Sequence, residues 1–490
     1  MRTRPLHALP LIEIAILTQH FLGNFPVNRV NDILSFFAVN SIVRVSLMNA
    51  PSHTRWKIGG LLCAVAVVNF FQRANISVAA ASMMKDFQLT QPQMGSVFSA
   101  FVLGYTIFQV PGGMLADRFG PRTILGWATA SWALFTFLTG MIGKLSLLSG
   151  VGVLNALMVL RFVFGICEAP MFPAGTRAVA NWFPFSERAR ANGLVITGIS
   201  IGSFLMPPLV SWMVFRLSWQ SSFYVAASFA VLMAIAWSLY VRDTPSRHWA
   251  VNEIELNYIC RDRGQNGQCA AMSTSVLPQL RNGNLWRLVL SYALSGYVSY
   301  VFVFWFYLYL VQVKNLGEAE SAWLTTVPWV LAAFTTFGGG YLPDRLILTR
   351  LRMDWGRRII PMACQIGAAL FLAIGARVEN GYLAAAVLAI CTGLILGVEG
   401  PYWATANQIS GRNAGFTGGL LNMGGNLGGV ISPTLTPLIA QHFGWIHALD
   451  FTGLVALGAA ALWLSVLPSK KREEEFPAVS LPQEADGVSR

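Results

Sequence analysis

The sequence predicts an all-α membrane protein with twelve transmembrane helices in two six-helix halves. Three observations predict it. Hydrophobic residues make up 54% of the 490 and charged residues only 11%, where a soluble domain carries roughly 25% charged. Twelve stretches reach the ~20 mostly apolar residues that cross a bilayer. They lie near 58–82, 95–116, 122–143, 150–172, 189–213, 221–241, 286–312, 321–342, 358–377, 381–406, 414–438 and 446–467. Motifs of the first six stretches also recur in the second six. With 32 Phe, 16 Trp and 45 Gly, a disordered, collagen-like or ordinary cytosolic chain is excluded. Six cysteines are too few for a disulfide scaffold. Cys63, Cys167, Cys364 and Cys391 lie in apolar runs, and all six read as free thiols.

In chain order, residues 1–55 read as a cytoplasmic N-terminal extension. The apolar stretch from Leu9 to Leu22 is interrupted by Glu13 and His20 and lacks a small-residue cleavage site, so it is a poor signal peptide. Met48 leads into NAPSHTRWK and span one, and reads as a candidate true start. Residues 56–241 form the first bundle, 242–285 a central cytoplasmic loop, 286–468 the second bundle and 469–490 a cytoplasmic tail. Lys and Arg set the orientation. With both termini in the cytoplasm, only Lys85, Lys144, Arg216, Lys314 and Arg377 of the 34 basic residues fall outside, and Arg73 and Arg161 lie within spans. The net charge of +12 therefore reads as topology and attraction to anionic lipid. No soluble basic domain offers a nucleic-acid footprint.

The repeat is specific. GGMLADRFGPR follows span two and GGGYLPDRLILTR follows span eight, which pairs Asp117 with Asp344. Glu168-Ala-Pro170 in span four pairs with Glu399-Gly-Pro401 in span ten, and Trp219 with Trp445. Duplicated bundles around a midplane site are a transporter architecture.

Charges at depth are the sharpest signal, since each costs ~2.5–3.5 kcal/mol to insert. They are Arg73 in span one, Arg161 and Glu168 in span four, and Glu399 in span ten. Arg161 and Glu168 are seven residues apart, so they share a helix face about 10 Å apart along the axis. They are too far apart to pair, and each needs a partner on another helix or on a ligand. Arg73 is the natural one to approach span four. A guanidinium presents a planar donor fork that matches a carboxylate, which points to anion recognition. A purely structural ion-pair network is the alternative. No catalytic triad, metal cluster or phosphate loop is present, so neither an enzyme nor a metal site is expected, and no cofactor beyond a coupling proton.

GGMLADRFGPR resembles the signature loop of the major facilitator superfamily. NFFQRANISVA, RFVFGICEAPMFPAGTRAVANWFP, SERARANG, DTPSRHWAVNEIE and GGLLNMGGNLGGVISP are similar to segments of its anion:cation symporter family, which includes hexuronate, galactonate, glucarate and phthalate carriers. The resemblance covers about residues 56 to 467. It implies import of a small organic anion, a sugar acid or related carboxylate, and with the positive-inside topology it fits a bacterial inner membrane; the compact two-half design needs no partner, so a monomer is expected. It assigns Arg73 to the substrate carboxylate, Tyr105 to substrate contact and Glu168 to proton coupling. Anion and proton then favour each other's binding, which is symport by linkage. It implies a gating latch of Asp117, Arg118 and Arg122, with Asp344 and Arg345 as the repeat's counterparts. Family members commonly have Asp before the span-one arginine, but this chain has Gln72. Glu399 is a candidate replacement, its alternative role being a polar partner beside Pro401. Asn69 beside Arg73, Tyr402 and Trp403 after Glu399, and Asn422 in span eleven complete the expected lining, together with Arg161. Ordinary packing is the alternative for any single aromatic. Asn75, Asn426 and a span-seven stripe of Tyr297, Tyr300, Trp305 and Tyr309 face similar choices. A proton-driven efflux antiporter is the competing function. Two buried arginines, which repel cationic drugs, and the absence of a Pro-Gly run in span five speak against it.

Overall fold

The structure is a computed structural model that describes residues 51–144, 151–184, 187–261, 280–332, 334–335, 353–410 and 414–466. Asp344, Arg345, the segment around Met48 and the tail lie outside the described residues. The fold is all-α. Ten helices among the described residues are long and apolar enough to cross a membrane. The eighth expected span, 321–342, is described only as far as residue 335, without 333. The eleventh is a 30-residue helix, Ala414–Phe443, whose asparagines and many glycines dilute its hydropathy below the other ten.

Span one runs Thr54–Phe87 over 34 residues, about 50 Å at 1.5 Å per residue. That exceeds the expected 58–82 and the ~30 Å hydrocarbon core. Local chemistry sets the helix starts. The Thr90 side chain accepts from the Gln93 N–H while Gln93 reaches back to the Thr90 N–H, a capping box that opens span two, Gln91–Phe119. Ser218 caps span six, Trp219–Tyr240, and Asn380 caps span ten at Gly381. Gly120 adopts φ +84 before Pro121, and Gly444 adopts φ +89 before Trp445. The two glycines make the left-handed turns that start spans three and twelve.

Spans four and ten are each broken beside the repeated glutamate, span four just after Glu168 and span ten just before Glu399. Span four is Val151–Glu168 and Met171–Trp182, and span ten is Gly381–Gly397 and Glu399–Ser410. Pro170 and Pro401 bring no N–H to the helix ladder. The sequence expected one unbroken helix in each case.

In the first half, span one packs on five, two on four and three on six. In the second, seven packs on eleven and nine on twelve. The halves meet along two–eleven and one–seven. Close approach needs glycine at two seams. A Cβ on Gly165 would lie 2.1 Å from the Phe101 carbonyl oxygen, and one on Gly428 would lie 2.0 Å from that of Ala293. The Gly-rich face of span eleven is thus a seam against span seven.

The described first part of the central loop, residues 242–261, carries a helix. Glu253–Cys260 forms a helix capped by Asn252. Glu255 is fully buried and takes the backbone N–H groups of Thr54 (2.9 Å) and Arg55 (3.1 Å), the Ser52 hydroxyl, and Arg55 Nη1 at 3.0 Å. Arg55 Nε also meets Glu187 at 2.8 Å. This network ties the start of span one to the four–five loop and the loop helix. Arg55, chiefly through its hydrogen bond, holds the Glu187 carboxyl below the usual range. Burial pushes Glu255 up, but its donors outweigh burial and leave it lowered.

Candidate functional site

Midway along the bundle, span one presents Arg73 to spans two, four and seven. Arg73 Nη1 lies 3.8 Å from Glu168 Oε1, a loose ion pair. Its Nη2 donates to the Tyr300 hydroxyl at 2.6 Å. Phe101, Tyr105 and Tyr300 place their rings 5.3, 5.4 and 5.6 Å from the guanidinium carbon, within cation–π range. Tyr300 donates onward to Asn426 Oδ1 at 2.7 Å, and Asn426 to the Asn422 carbonyl at 2.8 Å. Asn422 donates to Gln109 Oε1 of span two at 2.7 Å. One polar chain therefore runs from Arg73 through span seven to span eleven and back to span two.

Glu168 is 1% exposed, and neither of its oxygens accepts a hydrogen bond. The Asn69 amide lies beside it without closing one. Glu168 is the last residue before the Pro170 break, which leaves it at a helix end. Arg161 is 2% exposed, and its Nε and Nη2 make no hydrogen bond. It makes no ion pair among the described residues; Phe164 and Phe223 lie 5.3 and 5.5 Å from its guanidinium carbon. A closed seam lies between Arg73 and Arg161, walled by Ile76, Phe98, Phe101 and Phe304. A second narrow space, on another side of Arg73, is lined in part by Ser77, Ser203, Tyr307 and Trp329.

Towards the Gln312 end the halves are zipped. Phe98 stacks on Phe304 at 4.6 Å, Ser99 meets Thr434 at 2.9 Å and Gln91 meets Gln312 at 2.8 Å. At the other end, the contacts of the expected latch run within the first half. Asp117 faces Arg177 at 3.6 Å with both exposed. The Arg122 backbone N–H donates to Asp243 at 2.9 Å and its Nη2 to the Ser238 carbonyl at 2.7 Å. Arg118 lies against Phe119.

The expected site residues separate into two groups. Arg73, Glu168, Tyr105 and Asn69 come together, with Arg161 across the seam and Asn422 reached through the polar chain. Glu399, Tyr402 and Trp403 form a separate cluster. Glu399 accepts from Tyr292 at 2.7 Å and from Trp403 at 3.2 Å. Tyr402 is wholly buried against Ser291 (2.7 Å) and Gln365 (3.3 Å). Gln72 donates to the Ala226 carbonyl at 2.8 Å, so the residue in the usual aspartate position faces span six. Asn75 accepts from Ser222 at 2.7 Å. Gln109, Tyr292 and the wall of Phe98, Phe101 and Phe304 were not singled out from sequence. An i, i+3 spacing of Phe98 and Phe101 on the face that carries Tyr105 was the available signal.

The fold and buried charges can now be set beside known proteins. The family model of the Major Facilitator Superfamily matches residues 62–410 and 346–485. The chain belongs to the major facilitator superfamily. Within it, the chain matches the anion:cation symporter type. It is 30% identical over 444 residues to a probable galactarate/D-glucarate transporter of Bacillus subtilis (strain 168), covering 87% of this chain and 96% of the relative. A D-galactonate transporter of Escherichia coli O6:H1 is 30% identical, covering 86% and 97%. A probable sulfoacetate transporter of Cupriavidus necator is 28% identical, covering 84% and 93%. Among solved structures, a bacterial homolog of the human lysosomal transporter Spinster superposes with TM-score 0.69 at 17% identity, covering 84% of this chain and 97% of that one. A D-xylose–proton symporter gives 0.66 at 16%, covering 84% and 98%. These likenesses establish the superfamily fold. The chain is thus a multi-pass membrane transporter of organic-anion type, in a family of transporters rather than enzymes.

Proposed function

We propose that this facilitator imports a small organic anion, a sugar acid or related carboxylate, together with protons by alternating access. One observation carries the reading. A buried guanidinium, Arg73, sits 3.8 Å from a carboxyl whose oxygens accept no hydrogen bond, near a second guanidinium, Arg161, that makes no ion pair among the described residues. Leaving buried charge uncompensated is expensive, and an anion entering between Arg73 and Arg161 offsets it. Its arrival draws Arg73 from Glu168, and a proton on Glu168 then replaces the lost partner. Each ligand thereby favours the other. Glu399 is a second proton site, held ready by Tyr292 and Trp403. Tyr105, Asn69 and Asn422 orient the anion, and Tyr402 backs Tyr292. Residues 56–241 and 286–468 rock on one another about the central loop. Asp117, Arg118 and Arg122, with Asp344 and Arg345, latch the cytoplasmic side. The chain works as a monomer in the inner membrane with both termini cytoplasmic, and the proton is its only cofactor.

The test is uptake in proteoliposomes. Glu168→Gln is expected to lose proton-driven accumulation while keeping anion exchange, and Arg73→Ala to lose both. Unchanged uptake in Arg73→Ala sinks the proposal.

A further inference from the structure

One buried titratable group lies away from the site, in the first part of the central loop. His248 follows span six and is 4% exposed. Its Nε2 lies 2.9 Å from the Tyr240 carbonyl, and its Nδ1 faces the Ala250 N–H at 3.1 Å. We propose that His248 is a pH switch. Neutral, it fastens the turn at residues 242–250 to the ends of spans one, three, four and six; a proton on Nδ1 unfastens that turn at Ala250.

The partners fix the protonation state. A carbonyl oxygen can only accept, so Nε2 carries the hydrogen. A backbone N–H can only donate, so Nδ1 carries the lone pair. The neutral imidazole protonated on Nε2 satisfies both. Tyr240 is the last residue of the span-six helix, and its carbonyl is one of those a helix end leaves without an intrahelical partner. A proton on Nδ1 keeps the Tyr240 bond but sets two donors face to face at Ala250. The Ala250 carbonyl holds the Thr54 hydroxyl at 2.9 Å, so displacing Ala250 also loosens the start of span one.

The turn reaches the other spans through its neighbours. Trp182 of span four donates its indole N–H to the Arg242 carbonyl at 2.9 Å, and the Arg122 N–H at the start of span three donates to Asp243. The His248 ring packs edge-on to Trp182 at 5.3 Å and to Tyr240 at 5.0 Å, with Trp249 stacked over it at 5.6 Å. Trp249 is 76% exposed, so the lid over the imidazole is itself at the surface.

The charged groups facing His248 are Arg242 at the end of span six, Lys57 on span one and Glu255 on the loop helix. Burial first, and then the two cations, hold its pKa below the ordinary value; the Tyr240 carbonyl and Glu255 pull the other way and are outweighed. The fastening is therefore complete above about pH 6.5, the ordinary histidine value, and is lost as pH falls through the lowered one. Glu187 and Glu255 are held below the carboxylate range, so their hold on Arg55 persists while the turn lets go.

On the proposed topology this face is cytoplasmic, the side to which symport delivers protons. Rocking moves each half as one body, and this turn joins the ends of four spans of the first half. Acid on that side then slows turnover, a feedback on import. The feedback rests on the proposed function; the switch itself does not.

The test is hydrogen exchange, read by mass spectrometry, on full-length protein in nanodiscs at about pH 7.5 and about pH 5.5, either side of the ordinary histidine value. About one unit below that value the opened turn gains up to about tenfold. After correction for the intrinsic pH dependence of exchange, the peptide holding Ala250 and Val251 is expected to lose protection several-fold in acid, with peptides of spans three and six unchanged. His248→Gln keeps an amide donor and an oxygen acceptor and takes no proton, and is expected to show no such loss. Equal protection of that peptide at both pH values in wild type, or a loss spread evenly over the spans, overturns the switch. The wild type decides this even if His248→Gln does not fold. Anion exchange in proteoliposomes tests the feedback: between the same two pH values wild type is expected to slow several-fold more than His248→Gln, and parallel slowing overturns it. Absence of any Arg73-dependent transport refutes the proposed function and leaves the hydrogen-exchange result standing.

Discussion

Gly95 is the place to ask whether the zipped end opens during transport. It lies on span two, and a Cβ there would stand 2.0 Å from the Pro433 carbonyl oxygen on span eleven, in the other half. Ordinary contact begins near 3.4 Å, so Gly95→Ala requires the two helices to part by more than 1 Å. The obstacle is backbone and cannot rotate away. Overpacking of this kind costs ~1–3 kcal/mol. Here the strain is relieved by rocking the halves apart, because the clash exists only while this end is closed. A difference of that size shifts the balance between closed and open forms by about 5- to 150-fold. The assay is thiol labelling of Ser99→Cys, one turn from Gly95 and opposite Thr434 at 2.9 Å in the zipped form, in a background lacking the native cysteines. Gly95→Ala is expected to raise its labelling rate several-fold and slow net transport while barely changing the melting temperature. Gly165→Ala is the control. Its Cβ would meet the Phe101 carbonyl oxygen at 2.1 Å, an equal clash inside one half that no rocking relieves, so it lowers the melting temperature without raising labelling. Two glycines that behave alike would refute the view that the two–eleven seam is a moving contact.

Other outcomes follow from the same geometry. Tyr300→Phe removes the hydroxyl shared by Arg73 and Asn426. It is expected to weaken anion affinity by ~1.5–3 kcal/mol, read as a rise in KM larger than the fall in maximal rate. Glu255→Gln breaks a buried pair with Arg55 and is expected to destabilise the protein by ~3–5 kcal/mol, read from thermal melts. Glu187 and Glu255 are held below the usual carboxylate range, so their stabilisation is complete above about pH 4.3 and is lost as pH falls through the lowered values. The margin of wild type over Glu255→Gln is therefore expected to hold from pH 7 to about 5 and to shrink in more acid buffer, as followed by melts across that range.

Much of this was legible in the chain because the bilayer simplifies the code. Apolar length alone located ten of the helices, since every backbone polar group in lipid must be paired within a helix. Helix arithmetic put Arg161 out of reach of Glu168 and left each needing a partner on another helix or on a ligand, with Arg73 the natural one to approach span four; that it meets Glu168 and not Arg161's end is a result of packing. The Pro170 and Pro401 breaks were visible as residues but not as kinks, because neighbouring helices decide whether a membrane proline bends its helix. The Glu255 network was hidden for another reason. Ser52, Arg55, Glu187 and Glu255 are unremarkable singly and meet only through tertiary packing. Asn252 caps the helix that follows, but nothing in the spacing says what that helix covers.

The two halves share a motif but not its use, and the difference bears on coupling. Glu168 and Glu399 flank their breaks, Glu168 just before and Glu399 just after, each two residues before a proline. Glu399 is satisfied by Tyr292 and Trp403, whereas Glu168 faces a loosely held arginine and accepts no hydrogen bond. The repeat therefore supplied a carboxyl to each half, and span one then gave only the first a cation to share. Span seven has Tyr300 in the region opposite Arg73, and that hydroxyl joins the two halves by donating to Asn426 and accepting from Arg73. A movement of Arg73 towards an incoming anion is thus felt at once by Glu168 within its own half and by spans seven and eleven in the other. Spans two and eleven are also where the zipped end is held shut. The site and the closed end share the same pair of helices, which is what ligand-controlled rocking requires.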